Sequence, residues 1–272
     1  MADSIANDFA LYLKMVSQSI RSQLQYRLSF LLMSIGNFVT SGVEAFGVWA
    51  LFDRFGTLGQ WSLPQIAFLY GLVNCVFAVA EGLARGFDIF GSEFVKTGNF
   101  DRLLLRPRST VLQLAGHEFQ IHRIGRFVQG AVVFGWAVWM LGIDWHAGKV
   151  LLLVFTFVAG VAFFYALFII QATFSFWATE SLEIMNTLTY GGVETAQYPL
   201  AIYRKVFRRF FTYIVPLGCI TYFPAIAVFG IDDPLGSSRL FQYMAPCAGL
   251  GFFAAAIFLW RFGIRHYTST GS

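Results

Sequence analysis

A short segment, HEFQIH, combines residue types that bind zinc and activate water. Its two histidines, His117 and His122, lie on either side of Glu118. Zinc proteases space these histidines four residues apart, which places both on one face of a helix. Here the spacing is five residues, which separates the side chains by about 140° around a helix. No third ligand is evident, so we expect no metal site and interpret the segment as a polar helix end.

Nucleotide-binding chemistry is absent from the sequence. The phosphate-binding motif GxxxxGK[ST] does not occur, and the one Gly-Lys pair, Gly148-Lys149, is followed by Val150. The three cysteines are far apart in apolar stretches, with no CxxC pair. We therefore expect no catalytic residues and no cofactor in this chain. If ATP and Mg²⁺ drive its activity, a separate polypeptide binds them.

Two acidic residues, Glu44 and Glu81, lie inside long apolar segments. A carboxylate in hydrocarbon costs several kcal/mol unless it is paired, protonated or hydrated. Glu44 is about two-thirds along its segment, which suggests a polar cavity or an interface; a structural role with hydrogen-bonded neutralisation is the alternative. Glu81 precedes Arg85 by four residues, so we expect a structural ion pair on one helix face.

The amino-acid composition indicates which kind of helix must position these residues. The chain is 57% hydrophobic and only 12% charged, against roughly 25% charged residues in soluble domains. This excludes a soluble globular enzyme and a disordered chain. The fold class predicted is an all-α membrane protein, with an N-terminal amphipathic elbow helix and both termini in the cytoplasm. Six segments are predicted to span the membrane, at about 28–51, 64–84, 123–142, 149–173, 207–230 and 243–263.

The positive charges support this layout. With both termini inside, 16 of the 19 Lys and Arg residues lie on the cytoplasmic side, including those at 204–209. The net charge of +4 is thus explained by the membrane orientation, without nucleic acid as a partner. Pro216 and Pro224 predict a kinked or broken fifth span. Residues 174–203 have room for a short re-entrant or interfacial helix.

Three regions follow from these patterns: an interfacial elbow at 1–27, a six-span domain at 28–263 and a cytoplasmic tail at 264–272. The longest charged connection, at about 85–122, is predicted to form a helix at 86–97, a turn, and a short helix at 100–105. Its apolar side chains are expected to be exposed among charges, which favours docking into a partner's groove. The alternative is that they fold back onto the ends of the spans. These side chains are Phe94, Val95, Phe100 and Leu103 to Leu105.

Within this connection, TGNFDRLLLRPRS resembles the G-x-x-D-x-x-L-x-R-P loop of bacterial ABC-2 type exporter permeases. RSQLQYRLSF resembles the junction between elbow helix and first span in that family. YPLAIYRKVFRRFFTYIVPLGCITYFPA resembles its fifth-span region. The resemblance covers essentially the whole chain, in order. It implies that a coupling helix near this loop seats on a separate ATPase, with the coupling residues Glu93, Phe94, Phe100, Asp101, Leu104, Arg106 and Pro107.

The resemblance further implies a non-enzymatic permease in the bacterial inner membrane, surrounded by lipid. Its partners would be two copies of an ABC ATPase, which bind ATP and Mg²⁺, and a second permease half, identical or paralogous. The expected cargo is hydrophobic or amphipathic, on a path near Glu44, Pro216 and Pro224. An ion-coupled secondary transporter and a membrane-embedded lipid-modifying enzyme remain alternatives. The first needs inverted repeats and the second a polar catalytic cluster at one depth, and the sequence shows neither.

Overall fold

The computed structural model describes residues 2–178 and 182–269, and within that part the chain is helical with no β-strand. This confirms the all-α membrane class. Within these residues, five helices are long and apolar enough to cross a bilayer, and the number is six only if a bent pair in the fifth-span region forms one span. Of the predicted tail, residues 270–272 lie outside the described residues.

The first two helices follow each other directly along the chain. Helix α1 (Ala2–Gln25) is amphipathic and is separated from α2 (Arg27–Phe55) by a single turn at Tyr26. Helix α2 ends at Gly56, whose φ of +77° is a conformation that glycine adopts without a steric penalty. Only 11% of the most apolar 18-residue stretch of α2 is buried within the chain. Most of α2 therefore faces lipid or a second protein.

Helix α3 (Leu63–Leu83) is much more buried than α2, since 89% of its most apolar 18-residue stretch is buried within the chain. It begins with a capping box in which Ser62 and Gln65 satisfy each other's backbone groups, and Pro64 stands in the first turn. Its mean composition is apolar on every face, as expected for a helix at the centre of a bundle. The other spans pack around it.

The connection after α3 folds into short helices. These are α4 (Arg85–Asp88), a π-helical turn (Phe90–Val95), α5 (Phe100–Leu104) and α6 (Thr110–Ala115). Gly98, with φ +70°, makes the predicted turn between the π-helical turn and α5. Pro107 follows α5, as predicted for a residue that stops a helix.

Two long helices complete the central bundle. A 3₁₀ turn (Ile121–Arg123) leads into α7 (Ile124–Leu141), which is followed by α8 (Ala147–Phe174). Helices α3 and α7 approach closely at Gly71 and Gly130, where a Cβ on Gly71 would lie 2.6 Å from the Phe134 nitrogen. Small residues at such crossings let backbones pack in the absence of a hydrophobic driving force within lipid.

A further helix, α9 (Leu182–Ala196), occupies the region where a short helix was expected. Residues 179–181, between α8 and α9, lie outside the described residues. The ring of Tyr190 packs edge-on against Phe77 of α3, with centroids 5.6 Å apart. Helix α9 therefore lies against the bundle. A 3₁₀ turn (Leu200–Ile202) follows it.

The fifth-span region is broken, as predicted. Helix α10 (Lys205–Arg209) continues as a π-helical turn (Phe210–Ile214), and a 70° bend separates this pair from α11 (Leu217–Ile220) and α12 (Tyr222–Phe229). The bend lies at Pro216, which cannot donate a backbone hydrogen bond. The second interruption, at Thr221, precedes Pro224, whose ring would clash with the carbonyl of Ile220 in a continuous helix.

The chain ends with α13 (Arg239–Met244) and α14 (Cys247–Ile264). Helix α14 runs along α8 at glycine contacts, where a Cβ on Gly249 would lie 2.8 Å from the Ala159 carbonyl oxygen. Near the other end of α14, a Cβ on Gly263 would lie 2.7 Å from the Thr173 side chain. The two helices are therefore in close contact along most of α14.

One topological prediction is wrong. Residues 204–209 and 231–242 were expected at opposite faces of the membrane, yet Lys205, Arg208 and Arg209 share one cavity of about 490 Å³ with Gly236–Ser238. Opposite faces are separated by about 30 Å of hydrocarbon, which a cavity of this size does not bridge. The physical reason is the 70° bend at Pro216, which changes the direction of the chain inside the predicted span.

The shared cavity belongs to the end of the bundle that holds the α2–α3 and α7–α8 connections, which we call the far end. Tyr222, which is within electrostatic range of Arg208, contacts Trp61 of the α2–α3 connection, with ring centroids 5.8 Å apart. Phe229 contacts Phe68 in the first turns of α3 at 5.0 Å. Without residues 204–209, the predicted cytoplasmic side still holds 12 of the other 15 cations. The orientation prediction therefore keeps its support.

Candidate functional site

The connection between α3 and α7 is fixed to the bundle by a cluster of aromatic rings, which we call the aromatic anchor. Phe90 and Phe100 are fully buried, with ring centroids 5.0 Å apart in an edge-on arrangement. Phe90 also lies 5.0 Å from Trp260 of α14 and 5.3 Å from Phe176, just after α8. Each such pair contributes roughly 0.5–1.5 kcal/mol beyond its burial. The anchor, completed by Tyr267, ties the connection to the ends of α8 and α14.

This packing corrects the expected exposure of the segment. Phe94, Val95, Phe100 and Leu103 are all buried, with exposed fractions of 8% or less. They fold back onto the ends of the spans, because α14 and the residues after α8 offer an aromatic surface that local sequence does not reveal. Phe94 and Phe100 therefore support the segment from beneath, and neither is available on its surface.

One exposed stretch of the connection is Leu104–Arg108, which we call the tip. Leu105 is 86% exposed and Leu104 is 42% exposed. Arg106 and Pro107 beside them are also exposed. The tip thus combines two bare leucines with cationic side chains, a composition that matches a groove with an apolar floor and an acidic rim.

A buried amide holds the tip in shape. Gln113 on α6 is 6% exposed, and its Nε2 donates to the carbonyl oxygens of Leu103 and Arg108, both at 3.1 Å. These two carbonyls mark the start and the end of the tip. One side chain therefore closes the loop from within. Gln113 was not among the predicted residues, since an isolated glutamine in a polar segment gives no sequence signal.

The acidic members of the predicted coupling set lie on the same connection. Glu93 is exposed in the π-helical turn, and its carbonyl accepts from the Asn99 amide at 3.2 Å. Asp101 is half-buried and accepts a hydrogen bond from the Ser269 hydroxyl at 2.6 Å. Asp101 therefore attaches the connection to the residues that follow α14.

Helix α1 is attached to the other end of the connection. The Ser19 hydroxyl accepts a hydrogen bond from the Phe119 backbone nitrogen at 2.9 Å. The Gln23 Oε1 accepts from the Ile121 nitrogen at 3.2 Å, and its amide donates to the Phe119 carbonyl. These bonds satisfy backbone groups just before the 3₁₀ turn that begins α7. The elbow helix and the connection are thus one hydrogen-bonded unit.

The first histidine of HEFQIH, His117, packs against an aromatic ring. This ring is that of Phe94, and the two meet edge-on with centroids 5.0 Å apart. Within residues 2–178 and 182–269, no group of three or more His, Cys, Asp or Glu side chains is arranged to hold a metal ion.

Glu81 has a different partner from the one predicted. Its Oε1 lies 2.9 Å from the guanidinium of Arg123, and the Tyr190 hydroxyl donates to the same oxygen at 3.2 Å. Arg85 instead pairs with Asp88 at 2.8 Å. Glu81 faces the bundle interior at 4% exposure, so it meets the 3₁₀ turn before α7, whereas Arg85 belongs to the next helix. The structural role expected for Glu81 agrees with this pairing, but Arg85 is the wrong partner.

Glu44 belongs to a polar cluster between α2, α3, α7 and α9. Its Oε2 is buried without a hydrogen-bond partner, and its charge interacts with Tyr70 and Glu194. Arg126 is the cation of this cluster and donates to the Asn74 side chain at 2.8 Å. An unpaired carboxylate oxygen in such a place attracts water or a donor.

The break in the fifth span adjoins two cavities. The basic cavity of about 490 Å³ lies on the α10 side, and a second cavity of about 350 Å³ is lined by Pro216, Cys219 and Phe252 among other apolar residues. Pro224 is buried in α12 and lines neither cavity. Glu44 also lines neither. The predicted path residues therefore lie in separate surroundings, and only Pro216 meets a cavity at the break.

Comparison with known proteins gives one match. The sequence model described as ABC-2 family transporter protein matches residues 38–271. This range takes in α3 to α14, the tip, the aromatic anchor and both cavities. Neither a curated protein nor a solved structure matches the chain.

Proposed function

The chain belongs to the ABC-2 transporter family, and we propose that it is the permease subunit of an ATP-driven exporter in the bacterial cytoplasmic membrane. It is a multi-pass membrane component of a transporter. In the proposal, a separate ABC ATPase with two copies supplies ATP and Mg²⁺ binding, and a second permease half, identical or paralogous, completes the path. The cargo is hydrophobic or amphipathic.

The tip on its aromatic anchor is the observation that carries this proposal. Two exposed leucines beside arginines suit insertion into a groove on a soluble partner. The residues of the aromatic anchor are buried and packed against one another. A displacement of the tip would therefore move the whole connection. A loop that only reversed the chain would need neither the leucines nor the anchor.

A mechanism follows from the order of contacts. ATP binding would close the ATPase dimer and displace the tip, and the anchor would pass this displacement to α14 through Trp260 as a rigid-body shift. Helix α14 packs on the break, where Gly249 faces Ile220 of α11. A movement at the cytoplasmic end would therefore change the cavities beside Pro216, where the helix is already interrupted.

The test is purification of the tagged chain from its host in mild detergent, with mass spectrometry of the proteins that accompany it. A stoichiometric polypeptide with a GxxxxGK[ST] motif is the expected companion. The double variant Leu104→Ala/Leu105→Ala should reduce its yield at least about tenfold, the equivalent of 1.4 kcal/mol.

Leu240→Ala is the matched control, because Leu240 is 75% exposed but lies in α13, away from the tip. It should leave the companion in place. If wild-type protein purifies alone under several gentle conditions, or if the control and tip variants lose the companion equally, the coupling proposal is wrong.

A further inference from the structure

The basic cavity is built by one face of a helix. Lys205, Arg208 and Arg209 have i, i+3 and i+4 spacing, and all three line the cavity. Val206, which faces away, is 82% exposed and apolar. Like charges at these spacings destabilise a helix by a few tenths of a kcal/mol per pair. A lipid-facing helix that needed charge only for anchoring would have no reason to gather its cations on the cavity side.

The three cations lack an anionic partner within the described residues. No ion pair joins any of them to an acid there. Asp233, just before the residues of the opposite wall, does not line the cavity, and its hydrogen bonds go to other groups. It accepts from the Tyr222 hydroxyl at 2.6 Å and from the backbone nitrogens of Leu235 and Ser237. The positive charge of the cavity is therefore available to a ligand.

An apolar cavity adjoins the basic one. Thr212, Tyr213 and Phe241 line both, so the two spaces are neighbours across the same side chains. Away from this boundary the walls differ, since Pro216, Cys219 and Phe252 face one space and the cations face the other. A single ligand that fills both must carry an anionic head and an apolar tail.

We propose that these two adjoining cavities together bind a phosphate-bearing amphiphile, with its head on Lys205, Arg208 and Arg209 and its tail beside Pro216 and Phe252. Arginine favours phosphate because its fork of N–H donors matches the phosphate oxygens. The meaning of this site for transport rests on the proposed permease function, for which it names the substrate class. The binding itself requires neither the ATPase nor a second permease half.

The experiment measures binding to the purified permease in an uncharged detergent, by native mass spectrometry. Three probes separate head from tail: dihexanoyl phosphatidate, dihexanoyl phosphatidylcholine and inorganic phosphate. Phosphatidate should bind tightest, because it alone offers both the unshielded phosphate and the tail. Equal affinity for inorganic phosphate would overturn the amphiphile, and equal affinity for phosphatidylcholine would overturn recognition of the anionic head.

The variants locate the site. Arg208→Gln/Arg209→Gln should weaken phosphatidate binding at least about tenfold. Arg208→Lys/Arg209→Lys should weaken it less than the glutamine pair does, because lysine keeps the charge but not the fork of N–H donors. Arg204→Gln/Arg239→Gln removes the same charge from exposed positions that do not line the cavity, and it should change little. An equal loss in this control would contradict the assignment.

Two further results keep the test decisive. If the glutamine pair does not fold, Lys205→Gln serves in its place, and wild-type binding should weaken as salt rises, since exposed cations are screened. Binding that is indifferent to both would overturn the site. Phosphatidate binding without a copurifying ATPase would contradict only the permease proposal, and an ATPase without phosphatidate binding would contradict only this one.

Discussion

The two ends of the molecule use aromatic residues in opposite ways. At the aromatic anchor, Phe90, Phe100 and Trp260 are fully buried and pack ring against ring. At the break, Tyr213 and Phe241 are exposed and line two cavities. A packed cluster transmits displacement because it has no space to absorb it. An interrupted helix beside cavities has room to rearrange.

This difference indicates that the two ends of α14 have different roles. One end of the helix is gripped by the anchor, and the other end contacts α11 next to the break. Stability should therefore be concentrated at the anchor, and conformational response at the break. Variants at the two ends should have effects of very different kinds, which the following experiments compare in order of expected size.

Removal of the central anchor ring should have the largest effect. Trp260→Ala leaves a cavity among Phe87, Phe90 and Phe100 and should cost about 3–5 kcal/mol of unfolding free energy. Phe262→Ala, two residues away and 49% exposed, is the control and should cost much less. Denaturant titration in detergent micelles measures both. Similar losses for the two variants would show that the anchor is not a stability centre.

A methyl group at Gly86 should be the next most damaging change. Its Cβ would clash with the Leu114 carbonyl oxygen, where α4 crosses α6 beneath the tip. Overpacking at a backbone contact costs about 1–3 kcal/mol. Gly135→Ala is the matched control, since nothing lies within 4 Å of that position. The control should be neutral or slightly stabilising because alanine favours a helix, and a stable Gly86→Ala would contradict the crossing.

Removal of the Gln113 amide inside the tip should destabilise the protein less than the two changes above, but it should also affect the docking of the ATPase. Gln113→Ala removes the donor to the Leu103 and Arg108 carbonyls, at a cost of about 1–2 kcal/mol. The exposed Gln18→Ala serves as the control. Gln113→Ala should also reduce copurification of the ATPase, measured against total permease. If the companion is retained at the wild-type level, the shape of the tip does not matter for docking.

Single cysteine substitutions at exposed positions should have the smallest effect, changing the free energy of unfolding by no more than about 0.5 kcal/mol. Labelling of these cysteines tests the topology at the break. In a background free of native cysteines, Arg209→Cys and Ser237→Cys should react with a membrane-impermeant thiol reagent from the same side, because they line one cavity. Arg106→Cys at the tip should react only from the other side. If Arg209→Cys labels together with Arg106→Cys, residues 204–209 are cytoplasmic and the cavity is misassigned.

The sequence predicted features that depend on local chemistry. Apolar length located five of the six predicted spans, Pro216 marked the break, and the connection after α3 was predicted to contain short helices on either side of a turn. Features that depend on distant partners were missed or wrong. Phe100 looked exposed because its neighbours are charged, whereas its partners Trp260 and Tyr267 lie some 160 residues away in the chain. For the same reason Glu81 was paired with Arg85 instead of Arg123.

The cations at 204–209 show the limit of charge counting. A cluster of arginines beside an apolar segment usually marks a cytoplasmic loop, and the sequence gives no measure of the 70° bend that turns α10 towards the far end. The i, i+3, i+4 spacing of Lys205, Arg208 and Arg209 was a usable signal for a cationic helix face. That this face lines a cavity could be seen only in the structure.

The measurement that tests the account most directly is site-specific photo-crosslinking at Leu105, in cells that express the chain with its native partners. A photoreactive residue at this position should give one predominant adduct, with a polypeptide that carries the GxxxxGK[ST] motif. The same residue at Phe262, which is exposed on α14, should not. An intact permease that gives no such adduct at Leu105, or the same adduct at both positions, would contradict the claim that the tip is the ATPase docking surface.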